Sequence, residues 1–123
     1  MSETHGKNLD ILCAELGRDF AKIREIEEKM FNEALAVLEE QGPYAMFLYL
    51  KARHEKVAKP ISDKSLAFLK DVFKGRLDGV SDVLDAVRRL AEDLDDLLFA
   101  RDLLRTALSY ARYHLKAGGG GSS

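Results

Sequence analysis

The sequence predicts an all-α fold: a single-domain helical bundle of about five helices, with a long first helix and a buried C-terminal helix. Three observations predict it. Leu, Ala, Glu, Asp, Lys and Arg dominate the 123 residues, with only two prolines, and that mixture favours helix. Apolar residues recur at steps of three, four and seven along most of the chain. Finally, Leu94 to Ala117 is apolar around most of a helical circumference, and such a helix has to be packed on several sides. The domain is assigned to residues 8–117, a length that allows a real core.

Asn8 to Glu40 reads as one long helix whose apolar side carries Leu9, Leu12, Leu16, Phe20, Ile23, Met30, Ala34 and Val37. Gly17 inside it costs about 1 kcal/mol relative to alanine and allows a bend or break there. Gln41-Gly42-Pro43 ends it, because glycine suits the position after a helix and proline the first turn of the next. Pro43 to Val57 is then a second, central helix. Its run Tyr44-Ala45-Met46-Phe47-Leu48-Tyr49-Leu50 has no polar face. Ala58 to Ile61 reads as a connection broken by Pro60. Ser62 caps a short helix to Lys74, and Gly75 to Gly79 is a loop. Ser81 caps a fourth helix through Val83, Leu84, Val87 and Leu90. The acids from Glu92 to Asp96 suit the start of a fifth helix, although one continuous helix through that point fits equally. Gly118 to Ser123 is a glycine run closed by two serines, read as a flexible linker or cloning scar.

Charge is unevenly spread. Net charge is −2, yet residues 1–50 carry five Lys/Arg against ten Asp/Glu, residues 51–76 eight against three, and residues 77–123 six against eight. A basic middle between acidic ends points weakly to a charged partner. The single cysteine, Cys13, rules out an intramolecular disulfide and is compatible with a reducing cytoplasm. No apolar stretch reaches membrane-span length, and the first seven residues lack the apolar core of a signal peptide. A cytoplasmic location with no membrane partner is expected.

Constellations for chemistry are missing from the sequence. His5, His54 and His114 have no carboxylate or second histidine at the helical spacing of zinc or di-iron sites. Cys13 falls on an apolar helix side, and no serine sits in a nucleophile elbow. Gly75 and Gly79 do not make a phosphate loop. No metal, cofactor or catalytic residue is expected, and the protein is read as a non-enzyme.

Backbone-phosphate recognition remains, since it needs only several cations on a fixed surface. Two groups offer it. On the last helix Arg101, Arg105, Arg112 and Lys116 fall within roughly 60° of one another. Further back, Lys51, Arg53, Lys56, Lys59 and Lys64 form a run, and Tyr49, Tyr110 and Tyr113 could stack on bases. Equally, the tyrosines could be core and the cations could pair with Asp102, Glu55 and their neighbours. The apolar circumference of the last helix also predicts an exposed patch around Leu103, Tyr110 and Tyr113, to be covered by a partner or a second copy.

Two segments carry a resemblance. Gly42-Pro43-Tyr44-Ala45-Met46-Phe47-Leu48-Tyr49-Leu50-Lys51-Ala52 resembles the Gly-initiated apolar helix of the small subunits of type III CRISPR effector complexes. The stretch from Leu97 to Lys116 resembles their last helix, with Ala100-Arg101-Asp102-Leu103-Leu104 followed by aromatic and basic residues. The resemblance implies a non-catalytic subunit of an RNA-guided antiviral ribonucleoprotein. Such subunits stack along the complex and contact the backbone of guide and target RNA. By position, Arg101, Arg105 and Arg112 would be phosphate contacts of the last helix. Other effector subunits, and further copies of the chain, would be its protein partners. A helical adaptor that binds only protein is the alternative, and a helical nuclease a weaker third reading.

Overall fold

The computed structural model of the chain describes residues 8–118. Among them it is all-helical, with α1 over Leu9–Ala21, α2 over Glu28–Gln41, α3 over Pro43–Arg53, α4 over Glu55–Val72, α5 over Val83–Leu90 and α6 over Leu94–Ala117. Six helices replace the five expected, and the differences have local causes.

The long first helix is two helices. It does not break at Gly17, which is buried in the middle of α1. It breaks after Ala21, where the amides of Lys22 and Ile23 bond back to the carbonyls of Asp19 and Phe20. Glu25 adopts a left-handed backbone with φ of 67°, a conformation that non-glycine residues rarely take. Ile23 and Ile26 tuck partly under this turn. The rings of Phe20 and Phe31 stack across it with centroids 6.3 Å apart. A hydrophobic clasp between the two helices thus fixes a turn that carries no glycine or proline.

The second difference lies at Pro60. The chain turns at His54 (φ −134°, ψ 56°), before the end expected for the second helix at Val57, and α4 then runs straight through Pro60. The connection assigned to Ala58–Ile61, and the cap assigned to Ser62, both fall inside α4. Proline in a helix interior costs about 3 kcal/mol. Against that, α4 buries Val57, Ala58, Ile61, Ser65, Phe68 and Leu69 along one face. Burying Val57 and Ile61 alone stabilises by about 1.5–3 kcal/mol each, so packing outweighs the local penalty.

The third is a cap. Asp82, not Ser81, starts α5, its carboxylate accepting from the amides of Leu84 and Asp85 at 3.1 and 3.3 Å. Asp93 does the same for α6 through Asp95 and Asp96, so α5 and α6 are separate helices. The loop before α5 is held by a reciprocal clasp: Arg76 donates to the Arg89 carbonyl and Arg89 to the Arg76 carbonyl, both at 3.2 Å.

α6 is the axis of the bundle. Ala100, Leu103, Leu104, Ala107, Leu108 and Ala111 are all buried. α1 runs parallel to it, with Cys13 opposite Leu103 and Gly17 opposite Ala107 to Ala111. α2 runs antiparallel on another side, with Glu39 opposite Arg105 and Glu28 opposite Lys116. The exposed patch expected at Leu103, Tyr110 and Tyr113 is therefore mostly closed. Leu103 lies under α1, and Tyr110 donates to Asp10 of α1 at 2.8 Å. Tyr113 stays outside, and the other exposed large apolar side chains are Ile11, Leu48, Leu94, Leu98 and Phe99. Among the described residues, no helix is long and apolar enough to cross a membrane. His5 and residues 119–123 of the expected tail lie outside the described residues.

Candidate nucleic-acid interface

The basic stripe of α6 is a seam between helices. Arg105 binds Glu39 of α2 and also Asp102, at 3.1 Å. Arg112 donates to Asn32 Oδ1 at 2.8 Å, and Lys116 lies 3.3 Å from Glu28. Arg101 is half-buried, with its charge near Glu39. The reason is geometric: as α6 rises through Arg105, Arg112 and Lys116, antiparallel α2 presents Glu39, Asn32 and Glu28 in descending order. The guanidinium of Arg105 holds the Glu39 carboxyl below the usual carboxylate range, and the carboxylate in turn raises Arg105. Three of the stripe's four cations, Arg105, Arg112 and Lys116, thus have partners within the domain. The Nε atoms of Arg101 and Arg112 are buried without a partner among the described residues.

The second group lies on the surface and is only partly paired. Lys51, Arg53, Lys56, Lys59 and Lys64 are all exposed. Lys59 pairs with Asp63 at 3.0 Å, one helical turn on, and Lys56 lies 3.7 Å from Glu25. Among the described residues, no carboxylate comes within 4.0 Å of Lys51, Arg53 or Lys64. The chain's turn at His54 places Lys51 and Arg53 at the end of α3 and Lys56 at the start of α4.

Two cations that the sequence reading passed over join this group. Lys22 and Arg24 lie in the α1–α2 turn and face Lys56 and Lys64 of α4 across a cleft of about 370 Å³. A single helix over residues 8–40 contains no such turn, so the sequence pattern does not point to them.

The aromatic residues are mostly committed elsewhere. Tyr49 donates to Glu33 at 2.9 Å and sets its ring edge-on to His54. Tyr110 is tied to Asp10, leaving Tyr113 as the one tyrosine of the three that is largely exposed. Cys13 is buried against the Leu103 carbonyl, and burial together with the nearby Asp10 pushes its thiol up to about 11. A thiol so raised stays protonated at neutral pH. Among the described residues, no three His, Cys, Asp or Glu side chains converge as metal ligands.

The α3–α4 joint rests on Glu33 of α2. Its carboxylate accepts from Tyr49 and lies 2.7 Å from His54 Nε2. The hydrogen bonds from His54 and Tyr49, in that order, hold Glu33 below the ordinary glutamate value. The folded state therefore releases this proton more readily than the unfolded one, and the stability it contributes is complete above about pH 4.3, the unfolded value. It is lost as pH falls through the lower folded value. Glu33→Gln should cost stability at pH 7, and the gap to the parent should close in acid. Urea melts between pH 7 and pH 3 check this; a gap of constant size would show that the ionised carboxylate contributes nothing.

No protein-family model, curated protein or solved structure matches the chain.

Proposed function

We propose that the protein is a non-catalytic small subunit of a type III CRISPR RNA-guided effector ribonucleoprotein, working in the cytoplasm in antiviral defence. It contacts the backbone of guide and target RNA and packs against neighbouring subunits. The resemblance of residues 42–52 and 97–116 to the helices of such subunits supports this reading. The observation that carries it is the exposed, unpaired pair Lys51 and Arg53 at the end of α3, the helix that bears the first resemblance. Lys56 extends that surface onto α4. In this reading the phosphate contacts sit on α3 and α4, while Arg105, Arg112 and Lys116 hold α6 to α2.

A protein-only adaptor is the second reading. It is favoured by Leu94, Leu98 and Phe99, exposed together at the start of α6. Salt-dependent binding of the chain to single-stranded RNA separates the two. Lys51→Gln/Arg53→Gln should weaken all RNA sequences alike and lower the slope of log affinity against log salt by roughly 0.7 for each lost contact. Arg105→Gln should loosen the fold with no selective effect on RNA. An unchanged slope in the double variant removes Lys51 and Arg53 as contacts. A chain that binds no RNA, free or assembled with its protein partners, favours the adaptor.

A further inference from the structure

We propose that the cleft between the α1–α2 turn and α4 is a binding site for a single phosphoryl group, held by Lys22, Arg24, Lys56 and Lys64. The site shares Lys56 with the surface of the RNA reading, but its test turns on Lys22 and Lys64 and not on Lys51 and Arg53, which carry that reading. The protein as a whole carries more acids than bases, with 21 Asp and Glu against 19 Lys and Arg. Yet this one concavity brings four cations together with a single lining carboxylate, Asp19. Among the described residues, Lys22, Arg24 and Lys64 have no carboxylate within 4.0 Å. Converging like charges repel one another, and a concave wall focuses their field on any anion that enters. A phosphoryl group relieves that repulsion and offers several strong acceptors to the ammonium and guanidinium donors.

The cleft is also shaped for more than an ion. Ile23 and Pro60 line it beside the cations, giving an apolar surface for the organic part of a phosphate ester. Its volume of about 370 Å³ lies at the small end of ligand pockets, which suits a nucleotide-sized group. Lys56, Pro60 and Lys64 form one row at four-residue spacing on α4, and the turn supplies the opposite wall. Glu25, in its left-handed conformation, places its carboxylate 3.7 Å from Lys56. It therefore competes with the ligand for one of the four cations.

The phosphoryl group can belong to a free phosphate ester or to a nucleic-acid backbone, and the experiment has an arm for each. Pyrophosphate is titrated into the full chain at constant ionic strength and followed by backbone amide resonances. Saturable shifts are expected at residues 19–25 and 56–64. Lys22→Gln/Lys64→Gln should weaken binding about tenfold or more. Glu25→Gln should tighten it about two- to fivefold, the reach of an exposed ion pair. Lys70→Gln/Lys74→Gln, elsewhere on the surface, should change nothing. Thermal melts of each variant establish that the fold is intact. An oligoribonucleotide that displaces pyrophosphate assigns the site to a phosphodiester backbone. One that fails to displace it assigns the site to a free phosphate ester. Shifts spread over lysines around the whole surface, or a double variant that binds like the parent, overturn the proposal.

Discussion

Gly17→Ala should destabilise the protein, although alanine is the better helix former by about 1 kcal/mol. A Cβ at this position would stand 2.6 Å from the Ala107 carbonyl oxygen, 2.6 Å from Tyr110 Cβ and 2.8 Å from the Ala111 amide nitrogen. Two of those three atoms are backbone, so α1 and α6 must move apart to admit a methyl group. Overpacking of that kind costs about 1–3 kcal/mol, enough to reverse the sign of the propensity gain. Gly17→Val adds two more carbons to a contact that has no room for one. Its expected cost is a large share of the total 5–15 kcal/mol that holds a domain of this size together. Urea melts of the two variants check the ranking. A Gly17→Ala protein more stable than its parent would mean that α1 and α6 do not cross this closely.

Phe47→Ala and Leu104→Ala should each cost about 2–5 kcal/mol. Both side chains are 1% exposed. Phe47 sits in α3, which touches α2, α4, α5 and α6, and Leu104 sits in the middle of α6. Little of either cavity can collapse when helices enclose it on several sides. Leu48 is the internal control, next to Phe47 in sequence but 48% exposed. Leu48→Ala should stay within about 0.5 kcal/mol of the parent. Equal losses at positions 47 and 48 would mean that α3 is rotated about its axis.

What could be read from the sequence follows from which forces leave a local mark. Gly42 and Pro43 end one helix and start another by backbone rules alone, and the structure places both as expected, with Gly42 at φ 96°. The C-terminal limit of α6 is marked by Gly118, whereas its start is not settled, since the acids from Glu92 to Asp96 fit a new helix or a continuous one and the Asp93 cap decides it. The turn at Lys22 to Glu27 was not legible, because its cause is tertiary: Phe20 meets Phe31 only once the chain has reversed, and Glu25 is no usual resident of a left-handed position. Pro60 misled for the opposite reason. It is a strong local breaker, overruled by a buried face that becomes visible only when α1, α3 and α5 are in place. The candidate site shared both faults. The sequence leaves open whether the α6 arginines are free or paired, because the α2 partners of Arg105 and Arg112 lie far off in the chain. Lys22 and Arg24 looked unremarkable because nothing in the sequence brings them to Lys64.

The pairing of α1 with α6 also dictates an order of events. Cys13 touches Leu103 across 90 residues of chain. Synthesis runs from the N-terminus, so α1 emerges well before the α6 surface that receives it. Until α6 has left the ribosome, the face bearing Cys13, Leu16 and Phe20 has no permanent cover. Phe20 and Phe31 can meet as soon as α2 is made. The docking of α1 must wait until α6 has been synthesised, and meanwhile that apolar face is open to chaperones and to other nascent chains. Pairings distant in sequence, of α1 and of α2 with α6, thus close the bundle, and neither can form before α6 has been made.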